Sequence, residues 1–346
     1  MSSSDPRLDQ LQNWLRTELR WPFVRVAPAS TDASFRRYFR IWGADGATRI
    51  VMDAPPDKED VGPYLQVSAL LERCEVHVPQ VEASDARLGF VLLEDLGSIS
   101  YLSRLQAGGD ADALYHDALE ALLRIQVKGR EAVRQLPRYD RIVLAREMAL
   151  MPEWFCARHL LLSLEDRDRA LIGATFEFLI AEALAQPTVF VHRDYHSRNL
   201  MVLDSDNPGV IDFQDALGGP CGYDLASLLK DCYIDWPRAR VETWVSGYRA
   251  RLIAAGGDGG SDQALFLRWF DLVGLQRHIK VLGIFARLWY RDGKSGYLGD
   301  LPRTLDYVRD TARRFEELRE FSHWVEARLV PELEQANARV RAGAQS

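Results

Sequence analysis

The sequence lacks the features that mark secreted, membrane-spanning and nucleic-acid-binding proteins. Its four cysteines lie far apart and form no CxxC pair, which excludes a disulfide framework and the usual zinc-site spacings. No apolar run approaches the ~18 residues that a membrane-spanning helix needs, and the first twenty residues contain no apolar signal core. The 43 basic and 50 acidic residues give a net charge of −7, which disfavours nucleic acid and anionic membranes as partners. We therefore expect a soluble, cytoplasmic protein.

The composition and the length indicate a folded protein of two domains. Hydrophobic residues make up 47% and charged residues 27% of the chain, which excludes a disordered protein. At ~150 residues per domain, a length of 346 residues favours two domains. The sequence contains no internal repeat and no low-complexity tract.

The first third of the chain is predicted to be rich in strands. Residues 7–20 have the apolar spacing of a helix, and residues 34–42 and 48–52 form a predicted hairpin across a glycine-containing turn. The other predicted elements of this part are a helix over residues 60–73, a buried strand over 90–93 and a linker over 95–98.

The rest of the chain is predicted to be mostly helical. The predicted helices cover residues 111–127, 140–161, 167–185, 222–233, 238–254, 262–291 and 303–330. One small β region interrupts them, with predicted strands over residues 188–191, 200–203 and 210–213. The pattern predicts an α+β fold with a small N-terminal β-sheet domain, residues 1–96, and a larger helical C-terminal domain, residues 97–346.

The small β region carries the residues best suited to chemistry. Asp194 follows its first strand, Asn199 comes five residues later where the next strand begins, and Asp212 ends a third strand. Two carboxylates and an amide supply the hard oxygen ligands that Mg²⁺ prefers, with one acid left to orient or deprotonate a hydroxyl. This set is typical of phosphoryl transfer, in which a protein mainly positions groups and neutralises charge. Alternatively, Asp194 and Asn199 cap turns between short strands.

Two motifs in this region resemble those of kinases. The pattern His-x-Asp-x-x-x-x-Asn over residues 192–199, followed by Ile-Asp-Phe at 211–213, resembles the catalytic and metal loops of protein kinases. The continuation GGPCGYDLA, residues 218–226, is similar to the corresponding segment of the aminoglycoside phosphotransferase family. The resemblance implies a protein kinase-like two-lobe fold, with ATP as the phosphoryl donor.

The same resemblance assigns roles to single residues. Asp194 corresponds to the catalytic base, and Asn199 and Asp212 correspond to the Mg²⁺ ligands. Asp224 corresponds to the aspartate that opens the next helix and braces the catalytic loop. Its place just before an apolar run is also typical of a helix N-cap, so we expect its role to be structural.

Further stretches are similar to a narrower group within that family. They are SFRRYFR (residues 34–40), VMDAPP (51–56), LLEDLG (92–97) and QRHIKVLGIFAR (276–287). Together they resemble the anomeric N-acetylmuramate/N-acetylglucosamine kinases of bacterial cell-wall recycling. That family uses ATP to phosphorylate the C1 hydroxyl of the sugar, giving the α-1-phosphate, so the implied partner is a small amino sugar.

Two parts of the usual kinase nucleotide site are missing. No GxGxxG precedes the hairpin, where the corresponding loop instead offers the hydroxyls of Ser30, Thr31 and Ser34 near the phosphates. No lysine lies near residue 52, and we expect Arg40 or Arg49 of the hairpin to contact the phosphates instead. Alternatively, the loop is an ordinary polar turn and the arginines lie on the solvated face of a sheet.

Other residues near the motifs are assigned by position or by resemblance. His196 and Arg198 lie in the predicted catalytic loop, where they are expected to contact the acceptor or the γ-phosphate. His192 is expected to brace that loop through a backbone hydrogen bond. By resemblance, the adenine lies against the crossover that contains Glu94 and Leu96.

A cationic stripe is the main candidate for acceptor recognition. Residues 272–291 contain no acid and four cations, which share one stripe of a helix. Such a stripe suits a neutral or carboxylated sugar better than a polycationic aminoglycoside, so Arg277 and Lys280 are candidate sugar-binding residues. Alternatively, the stripe is a solvated helix face. Trp236 and Trp289 are available to stack on a sugar, with core packing as the alternative.

Two other functions are compatible with the sequence. One is another small-molecule kinase of the same fold, acting on an aminoglycoside, a choline-like alcohol or homoserine. The other is a catalytically silent nucleotide-binding protein, because the lysine and the glycine-rich loop are missing. The intact Asp194, Asn199 and Asp212 argue against the second. The sequence leaves the oligomeric state open, and a monomer is compatible with it.

Overall fold

The structure is a computed structural model that describes residues 5–31 and 35–343. By their packing the residues form two units, which we call the N-terminal unit and the C-terminal unit. The N-terminal unit contains the residues up to Ala118 together with Arg198–Asp215, and the C-terminal unit contains Leu119–Ser197 and the residues from Ala216 onward. The domain boundary after residue 96 stays a prediction.

The α+β class that the sequence predicts is confirmed. The strands are β1 (Phe23–Thr31), β2 (Arg37–Gly43), β3 (Thr48–Asp53), β4 (Val81–Asp85), β5 (Phe90–Glu94), β6 (Thr188–Val191), β7 (Leu200–Met201), β8 (Gly209–Val210) and β9 (Leu217–Pro220). The helices are α1 (Pro6–Asn13), α2 (Gly62–Arg73), α3 (Tyr101–Gln106), α4 (Ala111–Lys128), α5 (Arg141–Met148), α6 (Asp166–Leu184), α7 (Tyr223–Leu229), α8 (Arg238–Ala254), α9 (Gln263–Asp292), α10 (Leu301–Ala312), α11 (Arg319–Trp324) and α12 (Val330–Gly343). Wider π-helical turns adjoin α1, α5 and α11 over Trp14–Glu18, Met151–His159 and Val325–Leu329.

The N-terminal unit is built on an antiparallel sheet in the order β1-β2-β3-β5-β4. The predicted hairpin is confirmed as β2 and β3, which pair from Arg37 opposite Asp53 to Trp42 opposite Thr48. The sequence did not predict β1 and β4, which are the two edge strands. β1 contains Pro28, which an edge strand tolerates because one side of its backbone makes no ladder hydrogen bonds. The polar sequence of β4, VEASD, is likewise typical of a loop.

The hydrophobic core of this sheet lies on one face. The alternation of side chains along each strand points every second residue of β2, β3 and β5 to the same side. The apolar side of α1 and of the π-helical turn after it packs against that face. The buried cluster consists of Leu11, Trp14, Leu15, Phe39, Ile41, Val51, Phe90 and Leu92.

A buried carboxylate ties α1 to the end of β3. The Asp53 side chain is fully buried and accepts hydrogen bonds from Arg7 Nε at 3.1 Å and from Arg37 Nε at 3.0 Å. Arg37 also bonds to Asp5, which caps the first turn of α1 by accepting from the backbone N–H groups of Arg7 and Leu8. A buried carboxylate needs such partners, because desolvation of an unpaired charge is strongly unfavourable.

The C-terminal unit is organised around α9, a helix of 30 residues that begins at the N-cap Asp262. It contains one short antiparallel pair, β6 with β9. The sequence did not predict β9, because its residues, LGGP, are typical of a turn. None of the described helices combines the length and the apolar character that crossing a membrane requires.

Two of the predicted helices are interrupted. The helix predicted over residues 140–161 is α5 followed by the π-helical segment Met151–His159, which contains Pro152 in its first turn. The single helix predicted over residues 303–330 is wrong, since α10 ends at Ala312 and Phe315 adopts an extended conformation before α11. Hydrophobic periodicity reports the spacing of apolar residues and does not by itself reveal either interruption.

A glycine allows α9 to approach the chain just after α5. A Cβ atom at Gly283 would lie 2.3 Å from the carbonyl carbon and 2.5 Å from the oxygen of Leu150. Leu150 follows α5 by two residues, and α5 contains Glu147. The close approach therefore contributes to bringing Lys280, one turn before Gly283 on α9, to 3.1 Å from the Glu147 carboxylate.

We expect the substitution Gly283→Ala to destabilise the protein by about 2 kcal/mol or more, because the backbone of Leu150 cannot move away cheaply. The measurement is chemical denaturation. Gly173→Ala, in the exposed middle of α6 with open space around it, is the matched control. This control should be neutral or stabilising by roughly 0.5 kcal/mol, because alanine favours a helix. Equal stabilities for the two variants would contradict the close approach.

Candidate active site

The loop after β6 is held by a buried carboxylate of α7. Asp224 is fully buried, and its two oxygens accept hydrogen bonds from the backbone N–H groups of His192, at 2.6 Å, and Arg193, at 2.9 Å. Arg193 has a φ of 82°, in the left-handed region that residues other than glycine rarely adopt. Asp224 thus holds the turn in which Asp194 lies. The N-cap prediction for Asp224 is wrong, because Gly222 occupies the cap and Asp224 lies in the first turn.

A second buried carboxylate holds the other end of this loop. Asp231 Oδ2 accepts hydrogen bonds from the backbone N–H of Ser197 at 3.0 Å and from its hydroxyl at 2.5 Å. Asp231 Oδ1 accepts from the backbone N–H of Tyr233 at 3.0 Å. Sequence reasoning missed Asp231, although an acid two residues after the apolar α7 is a signal that a buried partner exists.

The backbone around Asp194 is bonded within the loop itself. The N–H of Asp194 donates to His192 Nδ1 at 3.3 Å, and the N–H of His196 donates to the Asp194 carbonyl at 3.0 Å. His192 is fully buried, and its ring meets the Tyr195 ring edge-on at 5.6 Å. The loop is therefore fixed by side chains and by its own turn.

Cationic groups outweigh the effect of burial on Asp194. Burial is the largest single effect and raises the pKa of the Asp194 carboxyl. Lys280, His196, Arg277 and Arg193 each lower the pKa, and it lies below its ordinary value. Asp194 is accordingly a carboxylate at neutral pH.

Asp224 responds to the same surroundings in the opposite way. Burial raises its pKa to about 7, against the effect of the two backbone N–H groups that it accepts. The negative charge of Asp194 raises the pKa further. The two aspartates thus differ in protonation although they lie in one group of charges.

Glu147 is the central anion of the group and was not predicted from the sequence. Its buried carboxylate contacts Lys280 Nζ at 3.1 Å and accepts hydrogen bonds from Arg193 and from the Tyr139 hydroxyl. Burial raises the pKa of Glu147, but Lys280, Arg193 and the Tyr139 hydroxyl lower it, and the pKa lies below its ordinary value. Lys280 Nζ also donates to the Tyr223 hydroxyl at 3.2 Å.

The cationic stripe of α9 does not form one solvated face of the helix. Arg277 and Lys280 are only 4% and 5% exposed, so the solvated-face alternative is wrong for both. Arg277 Nη1 lies 3.5 Å from the sulfur of Cys232. Of the other two cations, Arg287 is half-buried and Arg291 is exposed. A contact of Arg277 and Lys280 with the sugar stays a prediction.

In the N-terminal unit, the predicted metal ligands lie next to each other. Asn199 Nδ2 is 3.3 Å from Asp212 Oδ2, and the N–H of Ile211 donates to the carbonyl of Asn199 at 3.0 Å. Gln214 Nε2 donates to the other oxygen of Asp212 at 2.7 Å. Asp212 has a φ of 63°, and such strained backbone is common at functional sites.

The donor set fits a magnesium ion that retains other ligands. Among the described residues, no group of three or more His, Cys, Asp or Glu side chains is arranged to hold a metal by itself. One carboxylate and one amide oxygen are instead typical of Mg²⁺, which keeps water and phosphate oxygens in its coordination shell. Asn199 and Asp212 can provide these two ligands.

The candidate nucleotide residues are placed as follows. Ser34 lies outside the described residues, as do the side chains of Ser30 and Thr31. Arg40 bonds to both oxygens of Asp95, at 2.6 and 2.9 Å, and to the carbonyl of Gly97.

The remaining candidates for contacts with the nucleotide or its phosphates are Arg49, Glu94, Leu96 and Arg198. Arg49 bonds to Glu82, and Glu94 lies 3.3 Å from His77 Nε2. Leu96 is buried and Arg198 is exposed. At the point where the resemblance expects a lysine, β3 ends in the anion Asp53 rather than in a cation.

Arg36 is a further arginine next to the hairpin, which the sequence analysis did not select as a phosphate-binding candidate. Burial raises the pKa of Tyr64, and Tyr38 and Asp212 raise it further. Arg36 lowers the same pKa, so its guanidinium is close enough to act on Tyr64. The Tyr64 ring also packs on Phe213, the neighbour of Asp212, with ring centroids 4.8 Å apart. Arg36 is thus a cation near the predicted metal ligands.

Known proteins resemble the chain over nearly its whole length. The N-acetylmuramate/N-acetylglucosamine kinase of Pseudomonas putida is 45% identical over 349 residues, covering 98% of this chain and 100% of that protein. The protein of the same name from Neisseria meningitidis is 46% identical, covering 89% of this chain and 92% of its own length.

Solved structures share the fold at low sequence identity. Choline kinase LicA from Streptococcus pneumoniae has a TM-score of 0.60 at 12% identity, covering 88% of this chain and 99% of that one. The GDP complex of aminoglycoside 2'-phosphotransferase-IIIa has a TM-score of 0.58 at 17% identity, covering 90% of this chain and 100% of that one. These similarities identify the fold as that of the aminoglycoside phosphotransferases and choline kinases.

The family follows from a match over most of the chain. A model described as "Phosphotransferase enzyme family" matches residues 25–263, which contain the candidate catalytic loop and both candidate metal ligands. Together with the relatives at 45–46% identity, this match establishes that the chain belongs to the phosphotransferase enzyme family.

Proposed function

We propose that the chain is an ATP-dependent kinase that phosphorylates the anomeric C1 hydroxyl of N-acetylmuramate and N-acetylglucosamine. The observation that carries this proposal is the 45–46% identity, over 89–98% of the chain, to three proteins named N-acetylmuramate/N-acetylglucosamine kinase. We also propose that it acts in the cytoplasm on these small sugars and yields the sugar α-1-phosphate.

The charges around Asp194 do not by themselves select the acceptor. Lys280 and Arg277 both act electrostatically on Asp194, but both are buried, and Lys280 is paired with the Glu147 carboxylate at 3.1 Å. The preference for the amino sugars over a cationic acceptor rests on the relatives at 45–46% identity. The likeness to choline kinase and to aminoglycoside phosphotransferase, at under 20% identity, supports the fold alone.

In the proposed reaction Asp194 acts on the acceptor hydroxyl. As the C1 oxygen forms its bond to the γ-phosphorus, the bond from that phosphorus to the β–γ bridging oxygen breaks and ADP leaves. The carboxylate orients the hydroxyl and accepts its proton. This role requires the ionised form of Asp194, in agreement with the lowered pKa of its carboxyl.

Asn199 and Asp212 would hold Mg²⁺, which neutralises charge on the phosphates of ATP when it is bound. The positioning residues act through the loop. Asp224 fixes the backbone before Asp194, and Asp231 fixes the backbone after it. Such support is needed because a shift of about 1 Å in a catalytic group lowers the rate by about two orders of magnitude.

The test of the function is an assay of purified protein with Mg·ATP and either sugar. We expect loss of the sugar's reducing end to match ADP release mole for mole. ADP release with an intact reducing end would mean that the phosphoryl group is not transferred to C1, and it would contradict the anomeric assignment. If neither ADP release nor loss of the reducing end is observed, the protein would be interpreted as a catalytically silent nucleotide-binding protein instead of a kinase.

In the same assay, Asp194→Asn should lower kcat by about three orders of magnitude, because the amide cannot accept the proton. Asp204→Asn is the matched control, since Asp204 is exposed and lies only ten residues further along the chain. The control should keep full activity. Equal activities of the two variants would contradict the role of Asp194.

Lys280→Met tests how Asp194 is kept ionised. Loss of this cation should raise the pKa of Asp194, so the acidic limb of the kcat profile should move to higher pH. The measurement is kcat against pH, at saturating sugar and ATP. Lys280→Arg keeps the charge and should return the limb toward its wild-type position. A uniform loss of activity at every pH, with the limb unmoved, would indicate a merely structural role.

The arginines of the N-terminal unit are tested by their effect on ATP binding. Arg36→Ala, Arg40→Ala and Arg49→Ala are compared by their KM for ATP. A residue that contacts the phosphates should raise this KM about tenfold when removed, because a charge-assisted hydrogen bond contributes about 1.5–3 kcal/mol. From its position near Asp212, we expect the largest effect for Arg36.

Arg25→Ala is the matched control for this series, since Arg25 lies on the same sheet and stacks over Trp42 at 4.4 Å. Its KM for ATP should stay at the wild-type value. An unchanged KM in all three of the other variants would contradict the hypothesis that an arginine replaces the lysine.

A further inference from the structure

A side-chain amide follows the candidate metal ligand Asp212 by two residues. Gln214 Nε2 donates a hydrogen bond to Asp212 Oδ1 at 2.7 Å, whereas Asn199 Nδ2 lies 3.3 Å from Asp212 Oδ2. The two oxygens of this carboxylate therefore face two different amides. Phe213, between Asp212 and Gln214, is fully buried and packs on the Tyr64 ring, and this contact anchors the segment.

The bond to Asp212 determines which end of the Gln214 amide needs another partner. A carboxylate oxygen accepts hydrogen bonds, so the amide atom that contacts it is the nitrogen and not the oxygen. Gln214 Oε1 is buried, and none of the residues that the structure describes donates a hydrogen bond to it. Such a buried acceptor is uncommon in folded proteins, and a bound water or ion commonly accounts for it.

Gln214 Oε1 lies within reach of the coordination shell of an ion held by Asp212. The nitrogen and the oxygen of an amide are about 2.2 Å apart, so Oε1 lies at most about 5 Å from Asp212 Oδ1. Mg²⁺ binds its water molecules at about 2.0–2.1 Å. Each water then donates to an acceptor about 2.7–2.8 Å away. An acceptor so close to a metal-binding carboxylate can therefore bind one of these waters.

We infer that Gln214 is a positioning residue of the metal site, which holds Asp212 through Nε2 and a water of the Mg²⁺ coordination shell through Oε1. This inference rests on the proposed function, in which Asn199 and Asp212 are the metal ligands. Mg²⁺ usually keeps several waters beside its protein ligands, so donors for Oε1 are available. A divalent cation also makes its waters stronger donors, because it lowers their pKa.

The inference is tested by the affinity of the protein for Mn²⁺, which suits the same oxygen ligands as Mg²⁺. The EPR signal of unbound Mn²⁺ is measured at saturating ADP. Gln214→Met keeps an unbranched side chain without the amide, so the Kd for Mn²⁺ should rise about 10–100-fold. Gln214→Glu keeps an acceptor oxygen and should bind Mn²⁺ at least as tightly as the wild type. Gln80→Met, which removes an exposed amide of the same unit, is the matched control and should leave the Kd unchanged.

A second measurement follows the amide of Gln214 itself. In protein labelled with nitrogen-15, its side-chain NH₂ resonance is the one that both Gln214 variants lack. Titration with Mg²⁺ at saturating ADP should shift this resonance, because a new hydrogen bond to Oε1 changes the electron distribution of the amide. The side-chain resonance of Gln80 should not move.

The outcomes separate this inference from the proposed function. A wild-type Kd for Mn²⁺ in Gln214→Met would overturn the inference and leave the kinase standing. A Gln214→Glu variant that binds Mn²⁺ as weakly as Gln214→Met would also overturn it, since Gln214 would then act only by donating to Asp212.

The remaining outcomes are decided without activity. If Gln214→Met does not fold, the amide resonance decides, and an unmoved resonance overturns the inference. If the wild type phosphorylates neither sugar, the proposed function fails, but both titrations still decide because they need no acceptor. A wild-type protein that binds no Mn²⁺ would overturn the inference, since Gln214 would then have no metal site to support.

Discussion

The structure depends on the pairing of buried charges around the loop that carries Asp194. Glu147, Asp224 and Asp231 are almost wholly removed from water, and each holds a part of the C-terminal unit in place. A buried carboxylate without partners would be strongly unfavourable, so the loop amides and the cations that satisfy these acids are held in turn. The conformation of the loop is therefore a consequence of satisfying these acids.

The acids perform different tasks although they share surroundings. Asp224 accepts backbone N–H groups and has a pKa near neutrality, at about 7, because burial dominates. Asp194 lies close to several cations, and its pKa is lowered in spite of burial. Perturbed pKa values are common at functional sites, and this difference agrees with the proposed roles of Asp194 as the base and of Asp224 as a positioning residue.

The fold could be predicted, and the candidate site could be proposed, because the signals of both are local. β6, the hairpin of β2 and β3, and the spacing of Asp194, Asn199 and Asp212 all lie in short stretches of sequence. The edge strands β1 and β4 could not be predicted from the sequence. They have few buried side chains, and their sequences resemble those of loops.

The electrostatic partners were beyond sequence reasoning for a different reason. Glu147 lies more than a hundred residues before Lys280 in the chain. Only the structure shows that the two side chains pair, and this pairing explains why Lys280 is buried. A cation on a helix looks the same in sequence whether it faces water or a carboxylate. Asp231 and Tyr139 were missed for a similar reason. Asp231 binds Ser197, which is distant in the chain, and no sequence pattern pairs Tyr139 with Glu147.

The most direct test of this account is the ionisation of Asp194 in the free protein. Carbon-13 NMR of protein labelled at the aspartate carboxyl, with Asp194→Asn and Asp224→Asn to identify the two resonances, would follow each group with pH. The account predicts that Asp194 titrates below the ordinary Asp pKa of ~3.9. It also predicts that Asp224 titrates with a midpoint of about 7. Protonation of Asp194 near neutral pH would contradict the claim that the buried cations keep it as a base.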